Sequence, residues 1–135
     1  MIKFRAWDKF YECMINPVGI ELENGEVAHI IEQLPGETTK SSITYYELLQ
    51  STGLFDLDGN EIYIGDILKI EDEYTQVVFH EDNTTYGIYL EDKEGGGNPI
   101  SDYSTRISLN HIKGTIVGNK YEHPDLLRSD GEWNY

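Results

Sequence analysis

The run Asp56-Leu-Asp-Gly-Asn60 sets oxygen ligands at alternate positions, the way a calcium-binding EF-hand loop begins. Counted from Asp56, such a loop needs glycine at its sixth position and a bidentate glutamate at its twelfth, where this chain has Glu61 and Ile67. A hairpin turn in which Asp58-Gly59 supplies the unusual backbone angles accounts for the run instead. The histidines, His29, His80, His111 and His123, stand singly, with no metal-ligand spacing between them or to Cys13. His80-Glu81-Asp82 has the composition of a base beside orienting carboxylates, but neighbours on a strand point to opposite faces. Gly95-Gly-Gly-Asn-Pro99 lacks the spaced glycines and the Lys-Ser/Thr pair of a phosphate loop. Asn83-Thr-Thr85 is a glycosylation acceptor only in a secreted chain, and no serine stands in a nucleophile elbow. No catalytic, cofactor-binding or metal-binding residue is therefore assigned, and the expectation is a protein with no cofactor that is not an enzyme.

The elements that would carry any site are read from pattern. Ile2-Lys-Phe-Arg-Ala-Trp7 alternates with period two, and with Phe10 to Ile15 it predicts a hairpin. A second hairpin joins Val18 to Glu23 and Glu26 to Glu32 through Asn24-Gly25, since both turn residues tolerate positive φ. Leu34 to Ser42, with Pro35-Gly36 and a run of Thr, Lys and Ser, reads as a loop and as the boundary of an N-terminal lobe. Tyr45 to Gln50 has mixed propensity and is assigned as strand. Asp58-Gly-Asn60 and Gly65-Asp66 are turns, the second leading into Ile67 to Ile70. Thr75 to His80, Thr85 to Glu91, Arg106 to Leu109 and Lys113 to Val117 are further strands, interrupted by a mobile break at Gly95 to Pro99. Pro124 suits the first turn of a short helix, and Ser129 to Tyr135 is a loosely held tail. So many short strands with close turn signals predict an all-β barrel or sandwich.

Composition narrows the setting. The 135 residues fit one domain or a small domain with an appended lobe. One cysteine, Cys13, excludes intramolecular disulfides and suits a reducing compartment, where it packs as a small hydrophobe. The opening residues lack the apolar stretch of a secretory signal, and no apolar run approaches the ~20 residues of a membrane helix. Twenty-five acidic residues against ten basic give a formal charge of −15, which opposes approach to nucleic acid or anionic lipid. Lys3, Arg5 and Lys9 are the one dense basic group, and their alternation marks the solvated face of a strand. Ten Tyr, four Phe and two Trp point toward protein interfaces, although for any single one of Tyr45, Tyr63, Tyr74, Tyr86 and Tyr89 packing on a small barrel with the hydroxyl outward is the favoured expectation.

Three motifs in order, Ile2-Lys-Phe-Arg-Ala-Trp-Asp8, Gln50-x-Thr-Gly-Leu-x-Asp-x-x-Gly-x-Glu-Ile-x-x-Gly-Asp66 and Ile116-x-Gly-Asn-x-Tyr-Glu-x-Pro-Asp-Leu-Leu127, span nearly the whole chain. Together they resemble the YopX-type family, small proteins encoded mainly by bacteriophages and prophages of low-GC Gram-positive bacteria. The resemblance implies a mainly β fold: an SH3-like β-barrel over residues 51–121, in a domain reaching 127 with a short C-terminal helical turn. Residues 1–50 are then a β-rich N-terminal extension and 128–135 a loose tail. It implies no catalytic residues, and Thr52-Gly53, Asp58-x-Asn60 and Gly65-Asp66 make sense as turns that set barrel strands. At Phe55-Asp-Leu57, where relatives more often place Lys on either side of the Asp, this chain is more acidic.

The function expected is that of a phage or prophage accessory protein in the host cytoplasm, a non-enzymatic protein-interaction module. Its partner would be a host or phage protein with a basic surface; self-association is possible, and neither nucleic acid nor membrane is expected. DNA mimicry by spaced rows of carboxylates is a special case of this reading. The alternatives are a nucleic-acid-binding β-barrel, favoured if the basic residues cluster on one face, and an enzyme with an unrecognised carboxylate or Tyr site in a concave pocket.

Overall fold

A computed structural model describes residues 3–82, 85–105, 108 and 110–127. The fold is mainly β, with a half-barrel curled sheet, and the chain divides into two compact units, Met1–Gln50 and Ser51–Tyr135.

In the first unit, β1 (Phe4–Asp8) pairs antiparallel with β2 (Cys13–Ile15) on one side and with the first half of β6 (Tyr46–Phe55) on the other. β3 (Gly19–Glu23), β4 (Glu26–Leu34) and β5 (Glu37–Ser42) form a three-stranded antiparallel meander. Asn24 and Gly25 both adopt positive φ, 53° and 81°, as the Asn-Gly signal requires. Segment 34–42, expected as a loop, is instead a second hairpin. Pro35 and Gly36 occupy its turn, Gly36 at φ 80°, and Leu34 pairs with Glu37. The Gln33 side chain clamps it, donating to the carbonyls of Leu34 and Glu37 and accepting from Thr38 Oγ1 at 2.7 Å. A polar Thr-Lys-Ser run reads as loop locally, yet a paired edge strand with little buried surface tolerates it. Ala6, Ile30 and Tyr46 form the buried core, with Ile15, Ile20, Val27, Ile43 and Leu48 packed on it.

The second unit begins with the rest of β6, which pairs with β7 (Glu61–Tyr63). β8 (Asp66–Ile70), β9 (Glu73–Glu81), β10 (Tyr86–Glu91), β11 (Gly97–Pro99) and β12 (Thr115–Asn119) form a five-stranded antiparallel sheet in the order β11-β10-β9-β8-β12. Part of the expected break at 95–99 is thus an edge strand. Pro99 sits opposite Tyr89 on the sheet's outer strand, where its missing N–H costs nothing, and a Cβ on Gly97 would lie 2.7 Å from the Leu90 carbonyl. Of the strand expected at Arg106 to Leu109, only Ser108 is described, and it is not in a strand. Asn83, Thr84 and the tail from 128 onward also lie outside the described residues. Pro124–Leu127 forms a 3-10 turn. Ile62, Leu68, Val77, Leu90, Ile100 and Ile112 make the core, in keeping with the period-two burial of β9.

Candidate functional site

Several polar residues of the two longer sequence motifs are turned onto the backbone of the second unit. Asp56 is fully buried: its Oδ1 accepts the N–H groups of Asp58 (2.9 Å) and Asn60 (2.8 Å), and its Oδ2 accepts that of Ile116 (2.9 Å), sixty residues away on β12. The carboxylate that resembles the start of a calcium loop therefore ties a turn to a distant strand. Asp66 Oδ2 accepts from Tyr63 N at 2.8 Å. Thr52 Oγ1 donates to the Ile62 carbonyl and accepts from Leu54 N, and Ser51 Oγ bonds Glu61 Oε2 while accepting from Gly53 N. Gly65, at φ 96°, donates to the Val77 carbonyl and accepts from Lys120 N. In the last motif, Asn119 Oδ1 accepts from Tyr121 N and Glu122 N, and Asn119 N donates to His123 Nδ1 at 3.2 Å. The His123 ring lies so close to Gly118 that a Cβ there would come within 2.6 Å of its Cγ.

The first motif does something further in the first unit. Asp8 is buried, and its Oδ1 accepts the N–H groups of Phe10 (2.9 Å) and Tyr11 (3.0 Å). That cap, with Glu12 at φ 53°, turns the chain before β2 begins. Phe10 and Tyr11, expected within a strand, therefore project from the turn with 76% and 75% of their surface in solvent. Their rings stand edge to face, 4.8 Å apart at 87°. Tyr45 is also exposed, contrary to its expected packing on a barrel, and its carbonyl is held by Lys9 N at 3.0 Å. With Asp8, Ser41 and Tyr46 these rings line a cavity of about 230 Å³. Perpendicular aromatic faces beside a carboxylate are suited to a cationic side chain, which is drawn to the ring quadrupoles.

On the second unit, Tyr86 is exposed against Phe79, edge to face at 5.4 Å. His80 stacks on Tyr89 at 4.4 Å, with its Nδ1 3.3 Å from Thr85 Oγ1 and its Nε2 3.3 Å from Glu91 Oε2. Its carboxylate neighbour comes from the next strand, not from Glu81 or Asp82; Asp82 Oδ1 accepts instead from Thr85 N and Oγ1. A shallow concavity of about 180 Å³ is lined by Asp72, Glu73, Tyr74, Asp92, Lys93 and Glu94, with Lys69 and Lys93 both near the Tyr74 ring. His111 packs on Phe55 at 5.8 Å, and His29 faces Glu21 across β3 and β4. Seventeen of the acidic and six of the basic residues fall in 51–135, giving that unit −11 and leaving −4 for the first.

Residues 3–128 match the family model described as YopX protein. The chain is similar to the crystal structure of protein EF1440 from Enterococcus faecalis, with a TM-score of 0.66, 23% identity, and coverage of 95% of this chain and 99% of that one. That likeness shows the fold. No curated protein matches the chain.

Proposed function

The chain belongs to the YopX family, and on that premise we propose that it is a non-enzymatic protein-interaction module, an accessory protein of a phage or prophage working in the host cytoplasm. Its second unit is read as an SH3-like barrel domain over 51–127 with a short C-terminal helical turn, carried by the resemblance of the three motifs. The partner is a host or phage protein with a basic surface. The observation that carries this reading is the notch of Phe10, Tyr11 and Tyr45 over Asp8 on a chain of charge −15. Aromatic side chains left in solvent are poor contributors to folding and good anchors for binding, and the surrounding negative field accelerates encounter with a positively charged partner. Among the described residues no helix is long and apolar enough to cross a membrane.

The test uses partners recovered from host lysate with the tagged chain, followed by binding kinetics across a salt series. The association rate should fall as salt rises, and the Phe10→Ala/Tyr11→Ala double variant should lose the partner. Association indifferent to both salt and the double variant would refute the reading. Labelled single- and double-stranded oligonucleotides at 150 mM salt, a deliberately near-physiological condition of about 8 Å Debye length, should show no submicromolar binding; if they do, the nucleic-acid reading takes its place.

A further inference from the structure

The β3–β4 hairpin brings together three side chains that can ligate a metal. Across the strands Glu21 is the partner of His29, and Glu23 follows Glu21 by two residues along β3. One carboxylate oxygen from each glutamate and an imidazole nitrogen of His29 all lie within 4.8 Å of one another. Exposed carboxylates alone would be a solvated face; the imidazole distinguishes this group. His29 Nδ1 stands 2.9 Å from Glu21 Oε1, but the approach misses hydrogen-bond geometry. The nitrogen has less than 1 Å² of exposed surface and, apart from that off-angle carboxylate, no hydrogen-bond partner among the described residues. A desolvated nitrogen whose one neighbour is a poorly aligned carboxylate is well placed to share a water or a cation with it.

The donor set selects the kind of ion. Carboxylate and water alone suit magnesium or calcium, whereas imidazole adds affinity for zinc and its first-row neighbours. With metal–ligand bonds of about 2.0–2.2 Å, a 2.9 Å separation of nitrogen and oxygen subtends roughly 90°, the angle between adjacent octahedral positions. Opening it to about 3.4 Å would serve a tetrahedral ion, a change within the reach of a glutamate side chain. Lys40 is a competitor: its Nζ lies 3.3 Å from both Glu21 carboxylate oxygens.

We propose that this hairpin binds one divalent transition-metal ion of the zinc type through His29 Nδ1 and one oxygen each from Glu21 and Glu23, with water in the remaining positions. The site is independent of the aromatic notch and was not expected from the dispersed histidines.

Isothermal titration of the chelator-treated full chain with zinc chloride should give one saturable site. His29→Gln and Glu21→Gln should each weaken it by about tenfold or more, the scale of losing support at a metal centre. Lys40→Met should tighten it by removing the competing cation. Amide chemical-shift changes on adding zinc should centre on Gly19–Glu23 and on His29. Glu23→Gln, at an exposed position, serves if either of the first two variants fails to fold. No saturable binding would overturn the proposal. So would a site undiminished by these substitutions, or shift changes confined to the second unit.

Discussion

Replacing Asp56 with alanine should destabilise the second unit more than any surface change, because one buried side chain satisfies three backbone donors. Hydrogen bonds to a charged acceptor contribute about 1.5–3 kcal/mol each, so the three together give a gross loss of roughly 4.5–9 kcal/mol. Removing the carboxylate also removes its own dehydration cost, which is several kcal/mol for a buried ion. Asp58 and Asn60 are exposed, so their N–H groups can recover water; the Ile116 N–H, within β12, is the donor left most poorly placed. The residue is a loss of about 3 kcal/mol, near the upper end of ordinary single substitutions. At the sensitivity of a domain this size, that lowers the thermal midpoint by roughly 12–24 °C. Asp56→Asn is the sharper variant: its Oδ1 still accepts from Asp58 and Asn60, while its amide confronts Ile116 N–H with a second donor. It should therefore cost about as much as Asp56→Ala, because the donor it strands is the one that water cannot reach. Urea unfolding followed by circular dichroism, with calorimetry on the same samples, measures both. A loss below about 0.5 kcal/mol for Asp56→Ala, the range of surface substitutions, would refute the argument. So would stabilisation by added calcium of the unsubstituted chain and not of Asp56→Ala, since that would make the carboxylate a ligand.

Gly118→Ala should destabilise by about 1–3 kcal/mol, because the added methyl meets the His123 ring; in a His123→Ala background the same change should cost measurably less, as a double-mutant cycle of melting curves will read. Gly59 and Gly65 sit at φ 83° and 96°, so valine at either should cost about 1–3 kcal/mol, and unchanged thermal midpoints in both would contradict the turn geometry. Phe10→Ala and Tyr11→Ala should leave the midpoint within the scatter of surface substitutions, about 0.5 kcal/mol, while abolishing partner capture; a large drop in stability would mean that the notch belongs to the core.

What the residues determined by themselves is local. Asn24-Gly25, Asp58-Gly59 and Gly65 declare their turns because few residues tolerate positive φ, and the period-two alternation of β1 and β9 declares strands that bury one face. These signals depend only on neighbours along the chain, so they were legible without the fold. The polar strand β5 was not, because pairing at a sheet edge gives an ordered partner to residues whose own propensities favour a loop. The role of Asp56 was half legible: its turn is local, whereas its bond to Ile116 crosses sixty residues. The proposed metal cluster was illegible for a definite reason. A two-residue Asn-Gly turn pairs Glu23 with Glu26 and Leu22 with Val27, and continuing that register would place Glu21 opposite Ala28. A bulge between Glu21 and Leu22 shifts the pairing by one residue, so that His29 stands opposite Glu21 and Ile30 opposite Ile20. Ile30 is almost wholly buried in the core of its unit. The register that achieves this is chosen by the packing of the whole unit, since a one-residue slip reverses every face of a strand. The same packing choice that buried an isoleucine delivered an imidazole to two carboxylates.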